Sequence, residues 1–144
     1  MSELDVANLP EQPNAEGLAA FAQRAGKPDG GPVVMLNLLA LKPDDGRARY
    51  EAYGAAVAPL LERVGGRILY AGEAAPALLG AERWDLVALV EYPTRQAFLD
   101  MVSSPEYQAI AHLRSEALGR GELHPLDTFA AADAIAAAGG SEAG

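Results

Sequence analysis

The chain has 144 residues, half of them apolar, with no cysteine and a formal charge of −9. A chain of this length forms one domain and buries roughly 68–70% of its unfolded surface without a metal or disulfide. The missing thiols exclude thiol catalysis and thiolate metal sites and fit a reducing, cytoplasmic setting, and the acidic balance argues against nucleic-acid and anionic-membrane partners.

The opening MSELDVANLP lacks the basic and apolar regions of a signal peptide, and no apolar run approaches the ~20 residues of a membrane span. Residues 1–13, with two prolines, read as an extended arm. Asn14 can cap a helix in which Leu18, Phe21, Ala22 and Ala25 recur at helical spacing. The breaker-rich GKPDGGP (26–32) stops it, so an arm and helix fill residues 1–32. A strand follows at Val33–Leu39.

KPDDG (42–46) leads into a long helix with Asp44 or Asp45 as its cap. On a helical wheel Tyr50, Tyr53, Gly54, Val57, Leu60, Leu61 and Val64 share one face; Gly54 there suggests close approach to a sheet. Pro59 should kink this helix, and Gly65–Gly66 should end it. RILYAG (67–72) and DLVALVEY (85–92) read as the second and third strands. Pro93–Thr94 starts a helix with Ala97, Phe98, Met101 and Val102 inward; Ser104 and Pro105 then restart a helix to about Leu118. A last strand lies within GELHPLDTF (121–129), and residues 130–144 form an alanine- and glycine-rich tail. An initial helix followed by β-α-β-β-α-β is the α+β, ferredoxin-like order, here spanning 33–129.

Strand alternation sorts the side chains into faces. In the first strand Val34, Leu36 and Leu38 form a purely apolar set, expected beneath the helices. Val33, Met35, Asn37 and Leu39 form the other set. In the third strand Leu86, Ala88, Val90 and Tyr92 belong under the helices, leaving Val87, Leu89 and Glu91 opposite. Arg67, Leu69, Ala71 and Glu73 of the second strand are placed with that mixed face, leaving Ile68 and Tyr70 opposite. A helix-free face so apolar calls for a second copy of the chain, with two sheets closing over a hollow that contains Asn37, Glu91 and Arg67.

The segments MLNLL (35–39), YGAAVAPLLERVGGR (53–67), WDLVALVEYP (84–93) and SPEYQAIAHLRSEAL (104–118) resemble the family known as domain of unknown function thirteen-thirty. The resemblance implies a homodimeric α+β barrel. Its wider superfamily includes cofactor-free monooxygenases, lactone isomerases and haem-degrading enzymes, and fold alone does not choose among them. Motif positions that transfer are Asn37, Gly65–Gly66, Arg67, Glu91, Ser104–Tyr107 and Arg114, most of them architectural in character.

Arg114 projects near the centre of the apolar face made by Tyr107, Ile110, Ala111 and Leu118. A guanidinium there needs a carboxylate, backbone acceptors or an anionic ligand, with Glu91 or a C-terminal carbonyl as the nearest expectation. Tyr50, Tyr53 and Trp84 are ordinary core aromatics or, where a cavity opens beside them, positioning groups for an aromatic ligand. His112 points to solvent, where it and Glu116 are too few for a metal site, and His124 lies before Pro125 near an edge or dimer seam with no chemistry assigned; neither has the partners of a nucleophilic triad, and haem ligation by either is a minor alternative. The ligand-binding candidates are therefore Asn37, Glu91, Arg114, Arg67, Tyr50, Tyr53 and Trp84, with no cofactor expected. The first functional reading is a homodimer that binds a small apolar or acidic molecule. The second is a cofactor-independent oxygenase or isomerase, with Asn37 stabilising an oxyanion, Arg114 orienting an acid group and Glu91 moving a proton. The third is a non-catalytic interaction protein with a solid interior.

Overall fold

The computed structural model describes residues 11–27 and 30–127. Their elements run α1 (Ala15–Ala25), β1 (Val33–Leu41), α2 (Gly46–Arg63), β2 (Arg67–Glu73), β3 (Leu86–Tyr92), α3 (Arg95–Ser103), α4 (Pro105–Ala117) and β4 (Leu118–Leu126). The strands make one antiparallel sheet in the order β2-β3-β1-β4. This is the ferredoxin-like α+β arrangement, with α1 added in front. The first ten positions of the arm and the alanine-rich tail lie outside the described residues.

Local chemistry sets most of the boundaries. Asn14 Oδ1 accepts from Gly17 N–H at 2.9 Å, Thr94 Oγ1 from Ala97 N–H at 3.0 Å and Ser104 Oγ from Tyr107 N–H at 3.1 Å, so α1, α3 and α4 each begin on a side-chain cap. Pro105 occupies the first position of α4, where its missing donor costs nothing. Asp45 sits at the start of α2 without capping it; its carboxylate binds Arg49 one turn on. Gly65 ends α2 with a φ of +82°. Three details differ from the sequence reading. The long helix runs unbroken through Pro59, which lies on the exposed side, where the carbonyl it leaves unpaired can be hydrated. Gly54 has no heavy atom within 4 Å of where a Cβ would stand, so it marks no close approach. The final strand also starts earlier, at Leu118, directly from the end of α4.

Register decides the faces, because residues opposite one another in a ladder point the same way. Met35 pairs with Val90, Asn37 with Ala88 and Leu39 with Leu86. Val33, Met35 and Leu39 are buried with Leu60, Leu61, Tyr92 and Met101, so this set lies under the helices. The first strand is therefore inverted from its sequence assignment. Val34, Leu36 and Leu38 face away from the helices with Val87, Leu89 and Glu91, and Asn37 points into the helix-packed interior. The third-strand faces match expectation. In β2 a register shift between Ile68 and Tyr70 turns Tyr70 onto the helix-free face beside Gly72 and puts Ala71 and Glu73 opposite Ala88 and Leu86 on the helix side, the reverse of their sequence assignment.

Core position dictates cost. Leu39→Ala, at a fully buried site, should lower unfolding free energy by ~2–5 kcal/mol, whereas Leu69→Ala, at a site 43% exposed, should change it by no more than about 0.5 kcal/mol. Urea denaturation of both variants checks this.

Candidate functional site

The inversion of β1 puts Asn37 under α4, within reach of Arg114. Asn37 is 8% exposed, and it accepts at Oδ1 from Arg114 Nη2 at 3.1 Å while its amide donates to the Met35 carbonyl at 3.3 Å. The lone carboxamide of the strand is thus satisfied on both sides. Arg114 is itself almost enclosed, with a side-chain exposure of 11%. Its main partner is Glu11, which lies in the segment before α1. Arg114 Nη2 donates to Glu11 Oε2 at 2.6 Å, and Nε donates to Oε1 at 3.0 Å and Oε2 at 3.2 Å. This is the two-pronged geometry that suits a planar guanidinium to a carboxylate.

Phenols line the other side. The Arg114 guanidinium carbon lies 5.7 Å from the centre of the Tyr53 ring. Tyr53 shares a 2.9 Å hydroxyl–hydroxyl hydrogen bond with Tyr107 and stacks at a tilt on Tyr50, 5.6 Å between ring centres. Tyr50 also lies close enough to feel the Arg114 charge. Burial pushes the Tyr50, Tyr53 and Tyr92 hydroxyls above the ordinary phenol value, against the pull of the arginine's positive charge. Burial works against the charged guanidinium too, but the hydrogen bonds and charge of Glu11 outweigh it and hold Arg114 ionised.

The remaining candidates fall elsewhere. Glu91 and Arg67 sit on the helix-free face, paired with each other at 2.9 Å, so Glu91 is not the partner of Arg114. The hollow expected to contain Asn37, Glu91 and Arg67 together does not form, and the oxygenase arrangement of Asn37, Arg114 and Glu91 is split across the sheet. Trp84 belongs to a separate cluster, with the Arg120 guanidinium 4.2 Å above its ring. His112 is exposed as expected, and His124 pairs with Glu122 at 2.8 Å on the rim of the helix-free face. No cluster of metal-ligating side chains occurs among the described residues. Two cavities among the described residues, of about 270 and 120 Å³, are lined by Arg24–Lys27 and Gly30 with Thr94–Gln96 and by Ala74–Ala77 with Glu82–Trp84 and Val87. Neither is lined by Asn37 or Arg114, beside which the Glu11 carboxylate sits.

Sequence reasoning missed two groups. Glu11 is 103 residues from Arg114 and carries no motif; the signal that pointed to it was the need of a buried arginine for an acid. Arg95, 5% exposed at the start of α3, was read only as part of a helix. It pairs with Asp127 at 3.0 Å and lies 5.5 Å from the Phe21 ring centre, tying β4 and α1 to α3. Arg24 also binds Asp127, and this bond, followed by that of Arg95, holds the Asp127 carboxyl below the usual carboxylate value.

A ferredoxin-like sheet with a buried arginine, carboxamide and tyrosine cluster beneath its helices defines a class of small α+β protein. Residues 40–122 match the model of the family described as Domain of unknown function (DUF1330), and the chain belongs to that family. A protein of unknown function from Rhodopseudomonas palustris, RPA0582, is 34% identical, with 82% of this chain and 95% of that one aligned and a TM-score of 0.73. Two structures share the fold alone. One is a dimeric ferredoxin-like protein of unknown function from Jannaschia sp. (14% identity, 68% of this chain, 100% of that one, TM-score 0.57). The other is a dimeric protein of unknown function and ferredoxin-like fold from Bacteroides fragilis (15% identity, 68% of this chain, 97% of that one, TM-score 0.51). No curated protein matches the chain. No helix among the described residues is long and apolar enough to cross a membrane.

The buried phenols give a spectroscopic signature. A phenol raised in the folded state keeps its stabilising contribution below its unfolded value of ~10 and loses it as pH climbs toward the folded value. Ultraviolet titration should therefore show the ionisation of Tyr50, Tyr53 and Tyr92 delayed beyond pH ~10 and coupled to unfolding. Tyr53→Phe should remove one delayed phenol.

Proposed function

We propose that this protein is a homodimer that binds a small acidic molecule, with Arg114 and Asn37 as the groups that meet the ligand's carboxylate. The observation that carries this reading is the Arg114 guanidinium, nearly enclosed and already holding a carboxylate in two-pronged geometry between a carboxamide and three phenols. Such a constellation recognises a planar monoanion by shape as well as charge. The surrounding Tyr50, Tyr53 and Tyr107 rings suit an apolar body attached to the acid. Binding is favoured over catalysis because Glu91, the proton carrier of the enzymatic alternative, is on the far side of the sheet from Arg114.

The dimer follows from the helix-free face. Val34, Leu36, Leu38, Val87 and Leu89 are only half-buried there, Tyr70 is 56% exposed, and Leu126 lies beside Val34 at the edge. A stripe this apolar is covered at little cost by an identical sheet, with the Arg67–Glu91 and His124–Glu122 pairs as a polar rim. Dimeric states named for the Jannaschia and Bacteroides proteins of the same fold support a second copy as the occupant. In this arrangement the acid site lies within each protomer, beneath its own helices, and the interface is dry.

Light scattering should give a dimer for the native chain and a monomer for the paired substitution Leu36→Asp, Leu38→Asp; a native monomer would refute the interface. Small monocarboxylates at constant ionic strength should raise the melting temperature of the native chain above that in sodium chloride, since a ligand of the folded state stabilises it. The increment should vanish in Arg114→Gln, with Asn37→Ala as the milder second variant. Equal increments in all three proteins would remove Arg114 and Asn37 from the site.

A further inference from the structure

We propose that Glu11 is a tethered internal ligand: its side chain occupies the acid site of Arg114, and an external carboxylate binds by displacing it. The inference rests on the acid-binding reading above and adds how access to that site is controlled.

Three observations carry it. First, Arg114 takes its carboxylate not from the strands or helices of the βαββαβ core but from residue 11, in the irregular stretch ahead of α1. Second, the sheet is shaped to admit that carboxylate. Glu11 packs over Gly121 of β4, where a Cβ would stand 2.8 Å from Glu11 Cγ and 3.0 Å from Oε2. A residue with any side chain at 121 would press on the acid, and glycine leaves its berth open. Third, helix α1, next to the segment that carries Glu11, is held through Phe21 and the Arg24–Asp127 pair. None of the residues of α1 is buried, and its packing onto α3 centres on Phe21, 5.5 Å from Phe98 by ring centres. Asn14, extended at φ −114° and ψ 106°, separates Glu11 from the helix, so a rotation ahead of the cap can withdraw the acid without unfolding α1. Elements with few buried apolar contacts open at low free energy.

The Glu11 side chain beyond its Cα is in effect a propionate ion. The vacated site would therefore take a monocarboxylate whose acid end replaces Glu11 on Arg114 Nε and Nη2, with Asn37 holding the other guanidinium edge. The body of such a ligand would follow the path of the Glu11 stem out over Gly121. When Glu11 returns, the site is closed and its charge neutralised, so an empty protein does not carry an unpaired buried arginine.

The test uses propionate as the probe, titrated by calorimetry into the full native chain, Glu11→Ala and Glu11→Gln, with sodium chloride at equal ionic strength as reference. A segment open in roughly 1–10% of molecules weakens apparent binding by the same fraction, so Glu11→Ala should bind propionate roughly 10- to 100-fold more tightly than the native chain. Propionate should also recover part of the melting temperature that Glu11→Ala loses, and the recovery should disappear when Arg114→Gln is added. Should Glu11→Ala fail to fold unaided, propionate-dependent refolding supports displacement. A folded Glu11→Gln that binds no better than the native chain opposes it. Equal affinity in native and Glu11→Ala proteins overturns the internal-ligand role while leaving the acid site standing. Absence of propionate binding from every variant overturns the acid site as well.

Discussion

A guanidinium cannot stay charged inside a protein without acceptors, and Arg114 is nearly enclosed. Much of the unusual chemistry in this chain answers that single demand. Asn37 interrupts an otherwise apolar strand because one edge of the guanidinium needs a neutral oxygen there. Glu11 is drawn across from the N-terminal segment to neutralise the other edge. Three tyrosines surround the pair with rings that tolerate burial and hydroxyls that can share hydrogen bonds. Removing one member of a fully buried ion pair typically costs ~3–5 kcal/mol, but Glu11 is 31% exposed, so water reaches this pair and parting it costs less. Replacing the whole set by well-packed aliphatic side chains is often neutral or stabilising, so stability alone is a poor reason for the arrangement.

The element order was legible in the sequence because the punctuation is chemically strong. Asn14, Ser104–Pro105 and Gly65–Gly66 mark helix ends through interactions confined to a few residues, and all of these marks hold in the structure. The four strands and the ferredoxin-like order follow from them. The pairing of faces was not legible. Both sets of β1 are apolar enough to be core, and the polar Asn37 argued for the wrong one. The information that decides the matter is the register of β1 against β3, which sets Asn37 opposite Ala88. No tight turn joins those two strands, so no local rule fixes that register. The helix that packs above supplies Arg114, and only then does burial of Asn37 become favourable.

The same logic explains the helix-free surface. Putting the one polar residue of β1 inside leaves an unbroken stripe of Val34, Leu36 and Leu38 outside, flanked by Val87 and Leu89. A monomer with that stripe in water would be prone to association, and an identical sheet is the partner that matches its width and twist. The polar pairs at the edge, Arg67–Glu91 and His124–Glu122, fit a rim better than a reaction centre, since each is exposed and satisfied locally. Two faces of one sheet thus take separate tasks in the proposed reading: association outside, acid recognition inside.

Separating those tasks has a consequence for coupling. β1 carries Asn37 on one face and Leu36 and Leu38 on the other, so any shift of this strand on dimer formation moves the carboxamide against Arg114. Central strands transmit such shifts poorly by bending, because β1 is hydrogen-bonded on both sides, to β3 and to β4. The weaker link in the proposed reading is Glu11, which lies outside the sheet and would respond to the guanidinium's position by leaving it. In the proposed reading, ligand control is therefore more economically placed at the N-terminal segment than at the interface: the sheet holds Asn37 in place, helix α4 holds Arg114, and the acid between them is the part that would exchange.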